Sequence, residues 1–289
     1  MSSIIYSGGT IVSTTFTCTT GTRAEIVTGL GAILVSAGWT SLGSGLYKSG
    51  TTTSPKSNSI RVRITDPGSG NCAQIKIEND AGDRVSSAMF LLPGVGKIYR
   101  VIACPYNFFC FTAGSTLARE FLCGGTLHIP DFLNGIVIGS LGWMQGNCNA
   151  DGDSVLRSSF RTKLTTAESS PAIMAMLRNG LLLNYSGNNV AAQNLIVPVN
   201  GRPDVFSSGK WSDDSIGTME AIMCFGIGSV SDESKRQGLI HNCMIVSAPY
   251  IVDFIPTELY DGHHWWGITA SNPGTISSTT MGTLFVATD

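Results

Sequence analysis

Two short stretches alternate apolar and polar residues without a break: 59–64, Ser-Ile-Arg-Val-Arg-Ile, and 73–78, Ala-Gln-Ile-Lys-Ile-Glu. Period two sends successive side chains to opposite faces of a strand. Ile60, Val62 and Ile64 therefore share one face, and Arg61 and Arg63 share the other. Between the runs, Asp66-Pro-Gly-Ser-Gly70 is made of residues that break regular structure, so the pair predicts a β-hairpin. Further apolar runs at 99–103, 107–111, 135–138, 181–185, 195–199, 221–225, 239–246 and 283–287 are separated by Gly-rich or Asn-rich breaks. Many short strands with turn signals between them predict a mainly β protein of β-sandwich-type lobes.

Helical periodicity is confined to two places. Thr22-Arg-Ala-Glu25 has the form of a capping box, in which side chain and backbone satisfy each other's free groups. Ile26, Val27, Leu30, Ile33, Leu34 and Ala37 follow at spacings of 3 and 4, an amphipathic stripe that Gly38 closes with a left-handed cap. This predicts an N-terminal helix over about 22–38. A second, short helix is predicted from Ser170 as N-cap and Pro171 at the first helical position, through Ile173, Met174 and Leu177 to Gly180.

One segment repeats in outline. Val101-Ile-Ala-Cys-Pro105-Tyr106 resembles Ile245-Val-Ser-Ala-Pro249-Tyr250 at an offset of 144 residues, half the chain. Duplication of a lobe and coincidence within a restricted vocabulary both account for it. The working division is an N-terminal β lobe at 1–135 and a C-terminal β lobe at 136–289.

Composition changes the picture of the surface. Charged residues make up 13% of the 289 residues, about half the share in an average soluble protein. Glycine contributes 34 residues, while the apolar share of 43% is ordinary, so a packed core is expected and disorder is excluded. A formal net charge of −2 gives no global field for nucleic acid or anionic lipid. Arg61 and Arg63 on one strand face read as a solvated pair. The apolar stretch at 26–39 is shorter than the ~20 residues of a membrane-crossing helix, and no secretory signal is expected at the start. Eight cysteines include no Cys-x-x-Cys pair, which removes the common zinc and redox motifs. Several lie in apolar runs, so buried, reduced thiols are expected.

The candidate chemistry is sparse. Pro93-Gly-Val-Gly96-Lys97 lacks the first glycine and the final Ser or Thr of a phosphate loop. Asn147, Asn149, Asp151 and Gly152-Asp153 match the start of a calcium loop, but position 12 is Ser158 and the bidentate glutamate is missing. A hydrogen-bonded polar turn is the plainer reading, a structural calcium the alternative, and no other cofactor is expected. Tyr260-Asp261-Gly262-His263-His264-Trp265-Trp266 gathers imidazoles, a carboxylate and indoles. Trp265, Trp266, His263 and Asp261 suit a buried anchor, a subunit contact or a sugar site. Adjacent histidines on a strand point to opposite faces, so one metal ion does not readily take both. Trp211-Ser-Asp213-Asp214 carries paired carboxylates of the kind glycosidases use, although adjacent acids in a polar turn commonly face solvent. No Gly-x-Ser-x-Gly elbow is present. His128 and His241 sit in apolar surroundings and read as core or interface residues. No enzyme activity is expected.

Several segments in order carry a resemblance: the helix ending at Gly38-Trp39, then Tyr99-Arg-Val-Ile-Ala-Cys-Pro105-Tyr106-Asn107-Phe108-Phe109, Gly125-Thr-Leu-His-Ile-Pro-Asp-Phe132, Arg236-Gln-Gly238-Leu239-Ile-His241, and 254–266 with Asp261-Gly262. Together they resemble bacteriophage virion structural proteins encoded among tail and structural genes. The resemblance implies a component of the tail, baseplate or fibre apparatus, assembled in the host cytoplasm and located in the virion. Its implied partners are copies of itself and other virion proteins, with a host surface glycan as a further candidate. Nucleic acid and membrane insertion are not expected. A carbohydrate-binding or depolymerising tail-spike module is the alternative reading. A capsid or head-associated protein ranks last, since residues 1–22 contain no Lys or Arg to neutralise a genome.

Overall fold

A computed structural model describes residues 9–51, 59–79, 81–83, 85–86, 88–112, 121–128, 140–147, 172–178, 181–186, 193–198, 218–226, 236–246, 256–258, 263–268 and 283–289. The chain runs through β1 (Val12–Cys18), α1 (Arg23–Ser36), β2 (Thr40–Gly43), β3 (Leu46–Lys48), β4 (Arg61–Thr65) and β5 (Ala73–Glu78). Next come β6 (Met89–Leu91), β7 (Lys97–Ala103), β8 (Asn107–Thr112), β9 (Phe121–Gly125), β10 (Leu127–His128) and β11 (Ser140–Asn147). Then follow β12 (Ala172–Arg178), β13 (Leu181–Ser186), β14 (Gln193–Pro198) and β15 (Thr218–Gly226). The last are β16 (Arg236–Val246), β17 (Pro256–Glu258), β18 (His264–Ile268) and β19 (Thr283–Ala287). The protein is mainly β with one helix among the described residues.

Two antiparallel sheets hold these strands. The first has twelve, in the order β1-β7-β8-β9-β11-β6-β5-β4-β3-β2, with β12 on β11 and β13 on β12. The second has seven, β14-β15-β16-β19-β18-β17, with β10 on β16. The ladders cross residue 135, since β11 to β13 extend the first sheet while β10 joins the second. The expected hairpin forms in register, from Arg61 opposite Glu78 to Thr65 opposite Gln74. The expected run at 135–138 lies outside the described residues.

The helix expected after Ser170 is corrected. Residues 172–178 are strand β12, paired with β11 on one side and β13 on the other. A run such as Ala-Ile-Met-Ala-Met-Leu is apolar at nearly every position, which a strand hydrogen-bonded on both edges accepts as well as a short helix. Pairing on both edges decides between them.

Helix α1 forms where its pattern places it. Thr22 is the N-cap, and the Glu25 carboxylate returns to accept from the Thr22 amide at 2.9 Å. It also accepts from the Thr19 amide at 2.7 Å, so the turn before the helix is fastened to its first turn. At the other end Gly38 has φ +94°, a backbone that favours glycine. The Gly38 amide donates to Val35 and the Trp39 amide to Leu34, both at 3.0 Å, the paired bonds of a Schellman cap. Ile26, Leu30 and Leu34 are fully buried against Val62, Ile64, Ile75, Ile77, Tyr99 and Val101 of the first sheet. Gly31 is needed for this approach, because a Cβ there would lie 2.0 Å from the Tyr47 hydroxyl.

The opposite face of the first sheet is covered in part by the second sheet. Strand β8 is buried at every residue. Phe108 and Cys110 turn toward the helix side, while Asn107 and Phe111 meet His241 and Trp266 of the second sheet. Helix, sheet and sheet therefore stack in three layers at this point.

Candidate functional site

The junction between the two sheets is where buried polar and aromatic groups converge. The turn from β7 to β8 is fixed first: the Cys104 amide donates to the Asn107 carbonyl at 2.9 Å, and the Trp39 indole donates to the Cys104 carbonyl at 2.9 Å. The Asn107 side chain then spans the layers. Its Nδ2 donates to the His241 carbonyl at 2.6 Å, and its Oδ1 accepts from the Cys104 thiol at 3.0 Å. The His241 ring stacks on Tyr106 at 4.7 Å and meets His128 edge-on at 6.0 Å. Next to it Asn242 is buried with φ +56°, a conformation rare outside glycine but tolerated by asparagine.

These groups are electrostatically quiet at neutral pH. Burial pushes the His241 imidazole down to about 3, and His128 adds to the effect. Neither ring nitrogen of His241 has a hydrogen-bond partner among the described residues. Burial raises Cys104 to about 11 against hydrogen bonds from Tyr106, Asn107 and Asn242, and burial with Cys104 nearby holds Cys243 well above its ordinary value. A thiol held protonated is a poor nucleophile, so this pair behaves as packing. Cys18, Cys72, Cys104, Cys110, Cys123 and Cys243 are all buried and none is in a disulfide among the described residues.

The aromatic cluster near the end of the sequence joins the same interface. Trp265 is fully buried and Trp266 is 5% exposed. Trp266 lies 6.2 Å from Phe111, and the Arg100 guanidinium stacks over it at 3.9 Å. Phe111 and Arg100 are directly paired across β7 and β8, so the indole rests on a prepared site of the first sheet. One face of the Trp266 ring is thus covered by Arg100 of the same chain. Arg100 was not evident as a partner from sequence, because the contact joins strands more than a hundred residues apart.

His263 and His264 flank one carboxylate. The His264 Nδ1 lies 2.6 Å from Asp289 Oδ2, its amide donates to Oδ1 at 2.7 Å, and His263 Nδ1 is 3.8 Å away. Burial alone would raise the Asp289 carboxyl, but the His264 hydrogen bonds and nearby imidazole charge outweigh it and hold it below its ordinary value. Both histidines and Asp289 are substantially exposed. Among the described residues no group of three or more His, Cys, Asp or Glu side chains is placed to hold a metal ion. Asn147 ends β11 opposite Phe90 and Ala172. Asn149, Asp151 and Asp153 of the calcium-loop pattern, together with Trp211, Asp213, Asp214 and Asp261, lie outside the described residues.

No protein-family model matches the chain, and no curated protein matches it either.

Proposed function

We propose that this chain is a structural component of a bacteriophage virion, in the tail, baseplate or fibre apparatus, acting through contacts with copies of itself and with other virion proteins. The observation that supports this most is strand β2. It ends the first sheet among the described strands, all four of its residues are exposed, and Thr-Ser-Leu-Gly contains no charge. Leu42 within it is 46% exposed. Edge strands of solitary proteins are commonly guarded by charge or proline. An uncharged, apolar-bearing edge suits a surface that a neighbouring subunit covers, and the low charge of the whole chain agrees, since interface cores are depleted of charge.

The reading is tested by sedimentation velocity on the purified protein with and without particles. The chain is expected to self-associate or to co-sediment with virions, and Leu42→Asp is expected to weaken that association without changing the melting temperature. A protein that stays monomeric at micromolar concentration and ignores particles would defeat the proposal. Release of reducing sugar from host polysaccharide, abolished by changing Asp213 or Asp214, would replace it with the depolymerase reading.

A further inference from the structure

Strand β1 is the edge of the first sheet at the end away from β2, and it is the longer of the two edges. Its seven residues pair with β7 in unbroken register, from Val12 opposite Ala103 to Cys18 opposite Lys97. Among the described residues no second strand pairs with it. The sequence Val-Ser-Thr-Thr-Phe-Thr-Cys has neither charge nor proline. Solitary proteins commonly blunt such an edge with a lysine, a proline or a bulge, and β1 has none of the three. An uncharged run of this length, rich in β-branched and aromatic residues, is a template for another strand.

The edge is held in place from the helix side. Phe16 stacks on Tyr99 at 5.1 Å and lies against α1, where a Cβ on Gly29 would sit 2.6 Å from its ring. Val12, Thr14 and Phe16 therefore face the helix layer, while Ser13, Thr15 and Thr17 face the other way. Thr15 and Thr17 are exposed. On β7, directly opposite Thr17, Ile98 is 41% exposed, so apolar surface lies open just behind the edge. A strand already fixed in its extended form loses little further freedom when a partner joins it.

We infer that β1 pairs antiparallel with β1 of a second copy, about a two-fold axis at Thr15, so that the first sheets of two copies run on as one. The strand complements itself in this register, which is what selects a second copy as the occupant. Thr15 meets Thr15 of the second copy, Ser13 meets Thr17, and Thr14 meets Phe16. Hydroxyl pairs on one face and an aromatic with a β-branched residue on the other are both favourable cross-strand pairs. An uncharged edge is matched by an uncharged edge, so no charge is desolvated and no like charges oppose. The contact is isologous and closes after two copies, the commonest symmetry of soluble oligomers. It uses a different edge from β2 and does not depend on the chain being a virion component.

The test is sedimentation equilibrium of the purified full chain under reducing conditions. Dimers are expected at micromolar concentration, and they are expected to persist in Leu42→Asp, which alters only the β2 edge. Thr15→Glu sets two carboxylates opposite each other across the two-fold, while within one copy the new carboxylate faces Arg100. It is expected to weaken the dimer about tenfold with an unchanged melting temperature. Thr15→Cys is expected to give a disulfide-linked dimer when oxidised glutathione accepts the two thiol hydrogens. Thr17→Cys is expected to stay unlinked, because its two copies would lie about 13 Å apart along the strands. Association that Leu42→Asp abolishes and Thr15→Glu leaves unchanged would overturn this inference and leave the β2 reading standing. A chain that is monomeric throughout, or Thr17→Cys linking as readily as Thr15→Cys, would also overturn it.

Discussion

The face of the first sheet opposite α1 is two surfaces in one plane. Across β7 and β8 it presents Arg100, Ile102, Phe109 and Phe111, and the second sheet lays Trp266 on it. Across β3 to β5 it presents Lys48, Arg61, Arg63 and Lys76 to solvent. The helix-side face is apolar in both regions. The difference is written in the strands: β8 reads Asn-Phe-Phe-Cys-Phe-Thr and is buried on both faces, whereas β4 alternates strictly and is buried on one. One sheet therefore has an end closed by its own chain and an end whose outer side chains are partly reached by solvent.

The largest expected effect comes from opening the closed end. Trp266→Ala removes an indole packed on Phe111 and Arg100 and is expected to cost about 3–5 kcal/mol of unfolding free energy. Denaturant midpoints would show it, and a loss below about 1 kcal/mol would mean the two sheets are not coupled there.

Acid is expected to weaken the same junction. His241 titrates near 6.5 when unfolded, and burial lowers it to about 3 in the fold. The unfolded chain thus binds the extra proton between these values. Stability is full above about pH 6.5 and falls progressively as pH drops toward 3. His128 is the titratable neighbour that acts on this group, and the Tyr106 ring stacks on it. Urea midpoints at pH 7.5 and 4.5 for the natural chain and for His241→Phe are the check. The variant should lose much less stability on acidification, and an equal loss would place the acid sensitivity elsewhere.

On the helix side, Gly31→Ala drives a methyl group toward Tyr47 and is expected to destabilise by about 1–3 kcal/mol. Combining it with Tyr47→Phe, which withdraws the hydroxyl that the methyl meets, should restore part of the loss in thermal melts. The smallest effect belongs to the open end. Lys76→Thr relieves one opposed like-charge pair, so stability should change by less than about 1 kcal/mol, and upward. A clear loss of stability would show that the charged face is a structural element and not a presented surface.

Local signals were legible and distant ones were not. The helix from Arg23 to Ser36 was evident because cap, stripe and closing glycine agree within one short segment. The β4–β5 hairpin was equally plain, since alternation and turn residues lie side by side. The segment at 172–178 misled because a uniformly apolar run carries no period, and only its two neighbouring strands fix it. The arginine pair on β4 was visible, but Lys48 and Lys76 join it through register, which no single strand reveals. Likewise the tryptophans suit a buried anchor, a subunit contact or a sugar site by sequence, and only the fold brings Phe111 and Arg100 against Trp266.

The account of this protein as an assembled part is tested most directly by imaging an intact particle at a resolution that traces its chains. The chain should occupy repeated, symmetry-related positions in the tail, baseplate or fibres, with the β2 edge against a neighbour. Purified particles that contain none of it, or that hold it with β2 facing solvent at every copy, would contradict the account.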